Sequence, residues 1–231
     1  VDLGGTKIEA IVCDAGGREL LRRRVAAPRD DYDATLAAVA ALVAAVERDL
    51  GVVPGVASVG VGTPGSRSPR TGLLRGSNSV WLNGRPIRED LEARLGRPVA
   101  VANDANCFAL SEASDGAGAG AAAVFGVILG TGVGGGFVFN GRVLEGHNAI
   151  AGEWGHNPLP WAAEDERPGP ACYCGLAGCI ETFLSGPALA ADHARSTGGI
   201  ADAATIVSRA DAGDASCLRT LERYESRLAR A

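Results

Sequence analysis

The sequence predicts an α/β fold, and three observations carry the prediction. Short apolar runs bounded by glycine and turn residues alternate with longer stretches of helical spacing, and such alternation favours strands and helices layered on one another. Hydrophobic residues make up 46% of the chain and the mean hydropathy is +0.10, enough for a packed core. The 231 residues allow one large domain or two smaller ones. With no Met and 5% aromatic residues, packing must rely on Ala and Val.

In order along the chain, Ile8 to Val12 reads as an apolar strand. Asp14-Ala-Gly-Gly17 reads as a hairpin-type turn, and Glu19 to Val25 as a second strand. Arg22-Arg23-Arg24 alternates with apolar neighbours and fits a solvated strand face. Asp33 to Leu50 carries apolar residues at helical spacing, with Gly51 as its C-cap. Val56 to Val61 is a short strand broken by Gly62-Thr-Pro-Gly65, and Arg88 to Leu95 a short helix. Pro98 to Ala102 is a buried strand and Ala105 to Ala113 a helix. After a Gly/Ala-rich stretch, Asp115 to Ala123, strands Val124 to Leu129 and Phe137 to Phe139 flank the loop Gly130 to Gly136. Beyond Glu181 the chain is mostly helical, ending in Asp214 to Ala231 with an apolar stripe of Leu218, Leu221, Tyr224 and Leu228. The expected domain boundary lies at 102/103: a small α/β domain over 1–102 and a larger one over 103–231.

A net charge of −5 and a pI near 5.3 argue against a nucleic-acid partner. No apolar run approaches the ~20 residues of a membrane span, and the opening Val1-Asp2-Leu3 is strand-like rather than a signal peptide. Three of the six cysteines cluster; Cys13, Cys107 and Cys217 stand alone in apolar surroundings and read as buried thiols. The cysteine pattern fits a reducing cytoplasm. With no initiator Met and a helical pattern running to the last residue, the sequence is expected to be part of a longer chain.

Two glycine loops invite anions. Asp2-Leu-Gly-Gly-Thr-Lys7 lies between strand-like segments; its adjacent glycines let backbone N–H groups approach a phosphate, Thr6 adds a hydroxyl, and Asp2 can hold a metal ion through water. An ordinary Gly-Gly hairpin is the alternative. Gly130-Thr-Gly132-Val-Gly-Gly135 matches the G-x-G-x-x-G pattern but leads into a strand, so it is no dinucleotide fingerprint. Two such loops in one chain suggest a nucleotide clamped between two domains.

Asn103-Asp104 follows a strand and opens a helix. Either residue can serve as N-cap. A carboxylate here also faces the crevice where α/β sheets bind ligands. The helix N-terminus is expected to keep it ionised, ready to accept a hydroxyl proton during phosphoryl transfer. One residue can cap while its neighbour faces the crevice.

Glu153-Trp-Gly-His156 and Cys172-Tyr-Cys174-Gly-Leu-Ala-Gly-Cys179-Ile-Glu181 form the most informative window. Cys172, Cys174, Cys179 and His156 would complete a closed tetrahedral zinc shell, which is usually structural. His147 is the second choice for the imidazole, and His193 reads as a surface residue. A metal that fixes these backbones also fixes Glu153 and Glu181, and rigid carboxylates suit a polyhydroxylated ligand.

Together Asp-Leu-Gly-Gly-Thr-Lys, Asn-Asp-Ala-Asn-Cys, Gly-Thr-Gly-Val-Gly-Gly-Gly, Gly-Glu-Trp-Gly-His and Cys-Tyr-Cys-Gly-Leu-Ala-Gly-Cys-Ile-Glu resemble the ROK family of bacterial sugar kinases. Pro28 to Tyr32, Ser79 to Gly84 and Ala151 to Trp161 look most like its fructokinases. The resemblance implies an actin-like ATPase (ribonuclease H-like) two-domain fold with a zinc-binding loop, here with its second domain incomplete. It implies ATP, Mg²⁺ and a structural Zn²⁺, cytoplasmic phosphorylation of a hexose, D-fructose first, and a homodimer at full length. N-acetylglucosamine kinase, glucokinase or mannokinase, and a sugar-responsive ROK regulator, are the alternatives. Asp104 would be the base; Asn78, Asn103, Glu153, His156 and Glu181 would hold the sugar, His156 binding zinc through its other ring nitrogen. Gly4, Gly5, Thr6 and Lys7, with Thr131, Gly132, Val133, Gly134 and Gly135, would hold the phosphates, with Asp2 near Mg²⁺.

Overall fold

The computed structural model describes residues 1–231. Its strands are β1 (Asp2–Leu3), β2 (Lys7–Cys13), β3 (Glu19–Ala26), β4 (Val59–Thr63), β5 (Ser66–Arg67), β6 (Leu74–Arg75), β7 (Val99–Asn103), β8 (Ala123–Leu129), β9 (Val133–Phe139) and β10 (Arg142–Val143). Its α-helices are α1 (Tyr32–Asp49), α2 (Ile87–Leu95), α3 (Asp104–Ser114), α4 (Glu181–Leu184), α5 (Gly186–Thr197), α6 (Ala203–Asp211) and α7 (Ala215–Leu228).

Alternation with a period of two buries Ile8 and Ala10 of β2 on one face, as a half-covered strand requires. The first sheet runs β3-β2-β1-β4-β7, with β4 parallel to β1 and β7 and the first three strands antiparallel. Helix α1 starts where Asp31 accepts a bond from Ala34 N at 2.9 Å. It lays Leu36, Val39, Val43 and Val46 into a core completed by Leu3 and Ile8 from the sheet and Ile87 and Leu91 from α2. The arginines of β3 pair along the strand: Arg22 and Arg24 with Glu9, Arg23 with Asp49.

The second sheet, β10-β9-β8, is antiparallel throughout. Helix α3 lies on it through Ala105 and Ala109, which are buried. The approach depends on glycine: a Cβ at Gly136 would stand 2.6 Å from Ala105 O and 2.9 Å from Ala109 Cβ. Gly134 to Gly136 therefore belong to strand β9, where the sequence predicts a loop up to Gly136. The first sheet brings a second correction: β4 begins at Val59, and Val56 is 73% exposed. In β7 only Val99 is fully buried, so the strand is less enclosed than predicted.

Helix α7 keeps half of its predicted stripe, Leu221 and Tyr224 packing against Leu189, Ile206 and Ala210. Cys217, Thr220 and Arg227 face inward, while Leu218 and Leu228 are exposed. Paired charge turns the helix: Arg227 Nε donates to Glu166 Oε1 at 2.8 Å, and its Nη1 lies 3.1 Å from Asp192 Oδ1. His193 is buried, not a surface residue, with Nδ1 3.0 Å from Thr220 Oγ1. Of the isolated cysteines only Cys217 is buried; Cys13 and Cys107 are exposed. No helix is long and apolar enough to cross a membrane.

Candidate active site

Strand β7 ends on Asn103 and α3 begins on Asp104. Asn103 is the cap: its Oδ1 accepts from Asn106 N at 3.0 Å and its Nδ2 donates to Gly65 O at 3.0 Å. This leaves Asp104 free to face the crevice, its Oδ1 accepting from Ala105 N at 2.8 Å. Burial raises the Asp104 carboxyl above the ordinary range and outweighs the Ala105 hydrogen bond, which pulls it down; Asp2 adds to the rise. The helix N-terminus, expected to keep this group ionised, does lower the carboxyl through the Ala105 N–H, but desolvation is the larger effect.

The thiol window folds back on itself through tight turns. Gly175 and Gly178 adopt φ of +90° and +72°, and Cys172 N donates to Leu176 O at 2.8 Å. Cys172 Sγ thereby comes 3.4 Å from His156 Nδ1, and Cys174 Sγ 3.6 Å from Cys179 Sγ. The ligand atoms of His156, Cys172, Cys174 and Cys179 lie within 4.8 Å of one another. Burial, then bonding to the other two thiols, pushes the Cys179 thiol up to about 12. Three soft thiolates and one imidazole at this spacing fit zinc. His147 is elsewhere, in a surface cavity with Arg70 and Arg75.

The chain leaving this cluster enters a cavity of about 290 Å³ lined by Asn78, Asn103, Asp104, Glu153 and Glu181, by Gly130 to Gly134, and by Tyr173. Glu181 opens α4, and its Oε2 accepts from Val133 N at 2.9 Å, tying the cluster to the second glycine loop. Trp154 Nε1 donates to Gly134 O at 2.9 Å and ties the Glu153 segment to the same loop. Burial, then the charge of Asp104, raises Glu153.

Not every predicted residue reaches this cavity. Gly135 is buried within β9, where a Cβ would strike the Phe125 ring at 2.8 Å. His156 is not in the lining; its Nε2 lies 3.0 Å from the Tyr173 hydroxyl. Gly4, Gly5, Thr6 and Lys7 form a hairpin turn outside it, closed by Gly4 N donating to Lys7 O at 3.0 Å. Beside that turn the buried Ser79 Oγ has no hydrogen-bond partner in the chain, and a Cβ at Gly5 would come within 2.9 Å of it. Asp2 lines a neighbouring cavity of about 650 Å³ together with Asp104, which borders both. Tyr173 was not singled out by the sequence. The available signal was its position between Cys172 and Cys174, which holds its backbone wherever the thiols gather.

The family model described as the ROK family matches residues 1–231. The chain belongs to the ROK family. It is 44% identical over 232 residues to an N-acetyl-D-glucosamine kinase of Escherichia coli O6:H1, covering 99% of this chain and 76% of that relative. Among solved structures it resembles a ROK hexokinase from Thermus thermophilus at 37% identity and TM-score 0.79, over 96% of this chain and 72% of the other. It also resembles a ROK glucokinase from Streptomyces griseus, solved with glucose and AMPPNP, at 32% identity and TM-score 0.77, over 96% and 73%. The expected likeness to fructokinases is not what these ROK relatives show.

Proposed function

We propose that this ROK protein transfers a phosphoryl group from ATP to the primary hydroxyl of a hexose. One observation carries the reading: Asp104, Glu153 and Glu181 share a cavity with the second glycine loop. N-acetylglucosamine is the first substrate to test, on the strength of the 44% relative; D-fructose follows, on the motif likeness.

In this reading two lobes, 1–102 and 103–231, meet at the cavity. Asn78, Asn103, Glu153 and Glu181 hold ring hydroxyls. Asp104 accepts the proton of the primary hydroxyl as its oxygen attacks the γ-phosphorus. Desolvation raises the affinity of Asp104 for that proton, bringing a carboxylate closer to the working range of a base. The loop amides of Thr131 and Gly132 face the phosphates, with Asp2 on the metal side; the Val133 N–H is held by Glu181. Positioning supplies most of the rate in such transfers. Zinc on His156, Cys172, Cys174 and Cys179, when bound, anchors the backbone that carries Glu181.

Hexose-dependent ADP release over a panel of N-acetylglucosamine, glucose, mannose and fructose tests the proposal. Turnover of at least one sugar is expected. No ADP release with any of them, from protein that is folded and metal-loaded, would overturn it.

A further inference from the structure

The segment that brings Glu153 to the cavity is pressed onto the start of β9. Gly152 and Gly155 are buried, and a Cβ on them would collide with the carbonyl oxygens of Gly135 and Val133 respectively. Between them, Trp154 bonds to the carbonyl in the middle: its Nε1 donates to Gly134 O at 2.9 Å. Three successive carbonyls of β9 thus meet the residues around Glu153.

Packing alone does not ask for an indole here. The ring stands edge-on to Phe125, centroids 5.9 Å apart, and lies against the cluster of Val133, Leu159, Ile180, Phe183 and Leu184. Another large apolar side chain could fill that place. What the indole adds is one N–H donor, and it is spent on the glycine loop. Gly134 and Glu153 line the same cavity, one on the phosphate side of the proposed site and one on the sugar side. Gly134 has no side chain to hold it, and a Cβ there would meet only Ala105, at 3.7 Å. The turn just ahead of it is closed by Gly130 N donating to Gly132 O at 2.9 Å. Fixing Gly134 therefore fixes the short turn that carries the Thr131 and Gly132 amides.

We propose that Trp154 is a positioning residue whose indole N–H couples hexose binding at Glu153 to phosphate binding at the glycine loop. This rests on the hexose-kinase reading of the same cavity. A sugar held by Glu153 orders the 152–155 segment, the N–H orders Gly134, and the loop amides meet the nucleotide already in place. Such coupling is reciprocal: nucleotide tightens sugar binding by the factor by which sugar tightens nucleotide binding.

The test is calorimetric binding of AMPPNP with Mg²⁺ to the full chain, with and without the hexose it turns over best. Wild type, Trp154→Phe and Phe125→Leu are compared. Trp154→Phe keeps an aromatic ring and loses the donor; Phe125→Leu loosens the packing and keeps the donor. In wild type the hexose should raise AMPPNP affinity about fivefold or more. Trp154→Phe should cut that enhancement by roughly two- to tenfold, the worth of one neutral hydrogen bond, with affinity for the hexose alone within about twofold. Phe125→Leu should keep the wild-type enhancement even where it lowers the Tm. A loss in Phe125→Leu as large as in Trp154→Phe would assign Trp154 to packing and overturn the inference. Full enhancement in Trp154→Phe, or none in wild type, would overturn it too. Wild-type protein that turns over no hexose would overturn the kinase reading itself, and this inference with it.

Discussion

Gly132→Ala is the sharpest perturbation the site offers. A Cβ at this position would stand 2.6 Å from Glu181 Oε2, closer than carbon and oxygen tolerate. That oxygen is not free to move, because it accepts the Val133 N–H at 2.9 Å. The added methyl group must break this bond or shift the carboxylate. A hydrogen bond to a charged group is worth about 1.5–3 kcal/mol, so the loss corresponds to roughly ten- to hundredfold in kcat/KM for the sugar. Gly134→Ala gives the comparison within the same loop: its Cβ would meet Ala105 Cβ at 3.7 Å, an ordinary contact. The assay is coupled ADP release with varied sugar, alongside thermal unfolding of both variants. Gly132→Ala should lose far more sugar kcat/KM than Gly134→Ala at similar stability. Equal losses, or none in Gly132→Ala, would refute the link between loop and carboxylate.

Three further outcomes follow from the same geometry. Cys179→Ser should release zinc on metal analysis and raise the sugar KM, because the backbone carrying Glu181 loses its anchor; wild-type protein purified without zinc would contradict this. The kcat/KM for sugar should fall on the acid side with an apparent pKa above the usual carboxylate range, since Asp104 acts deprotonated and burial raises it; a limb at or below the ordinary aspartate value would count against Asp104. Hydrogen bonds from Arg230 and then Arg227 lower Glu166 from 4.5 to about 2, so its stabilisation is complete above pH 4.5 and disappears as pH falls towards 2. The increment is about 3 kcal/mol at most, and urea midpoints of wild type and Glu166→Gln should converge over that range; parallel curves would contradict it.

Much of the site was legible because its parts are local. Asn103 and Asp104 divide capping and crevice roles as adjacent residues at a strand–helix junction can. The thiols and His156 converge because glycines turn a short segment sharply. What was not legible came from distant partners. Gly134 to Gly136 read as loop, but α3 requires glycine there to approach β9. The stripe on α7 read as apolar, but Glu166 and Asp192, remote in sequence, draw Arg227 inward. His193 read as exposed, but Thr220 on another helix buries and bonds it. The tilt of His156 towards Tyr173 depends on side-chain packing that no spacing encodes.

The central claim is that Asp104 takes the proton of a bound sugar's hydroxyl. Its most direct test measures kcat and hexose affinity together in Asp104→Asn. The account predicts a kcat at least ~10²-fold lower with sugar binding largely kept. An Asp104→Asn protein that turns over sugar at the wild-type rate would contradict it.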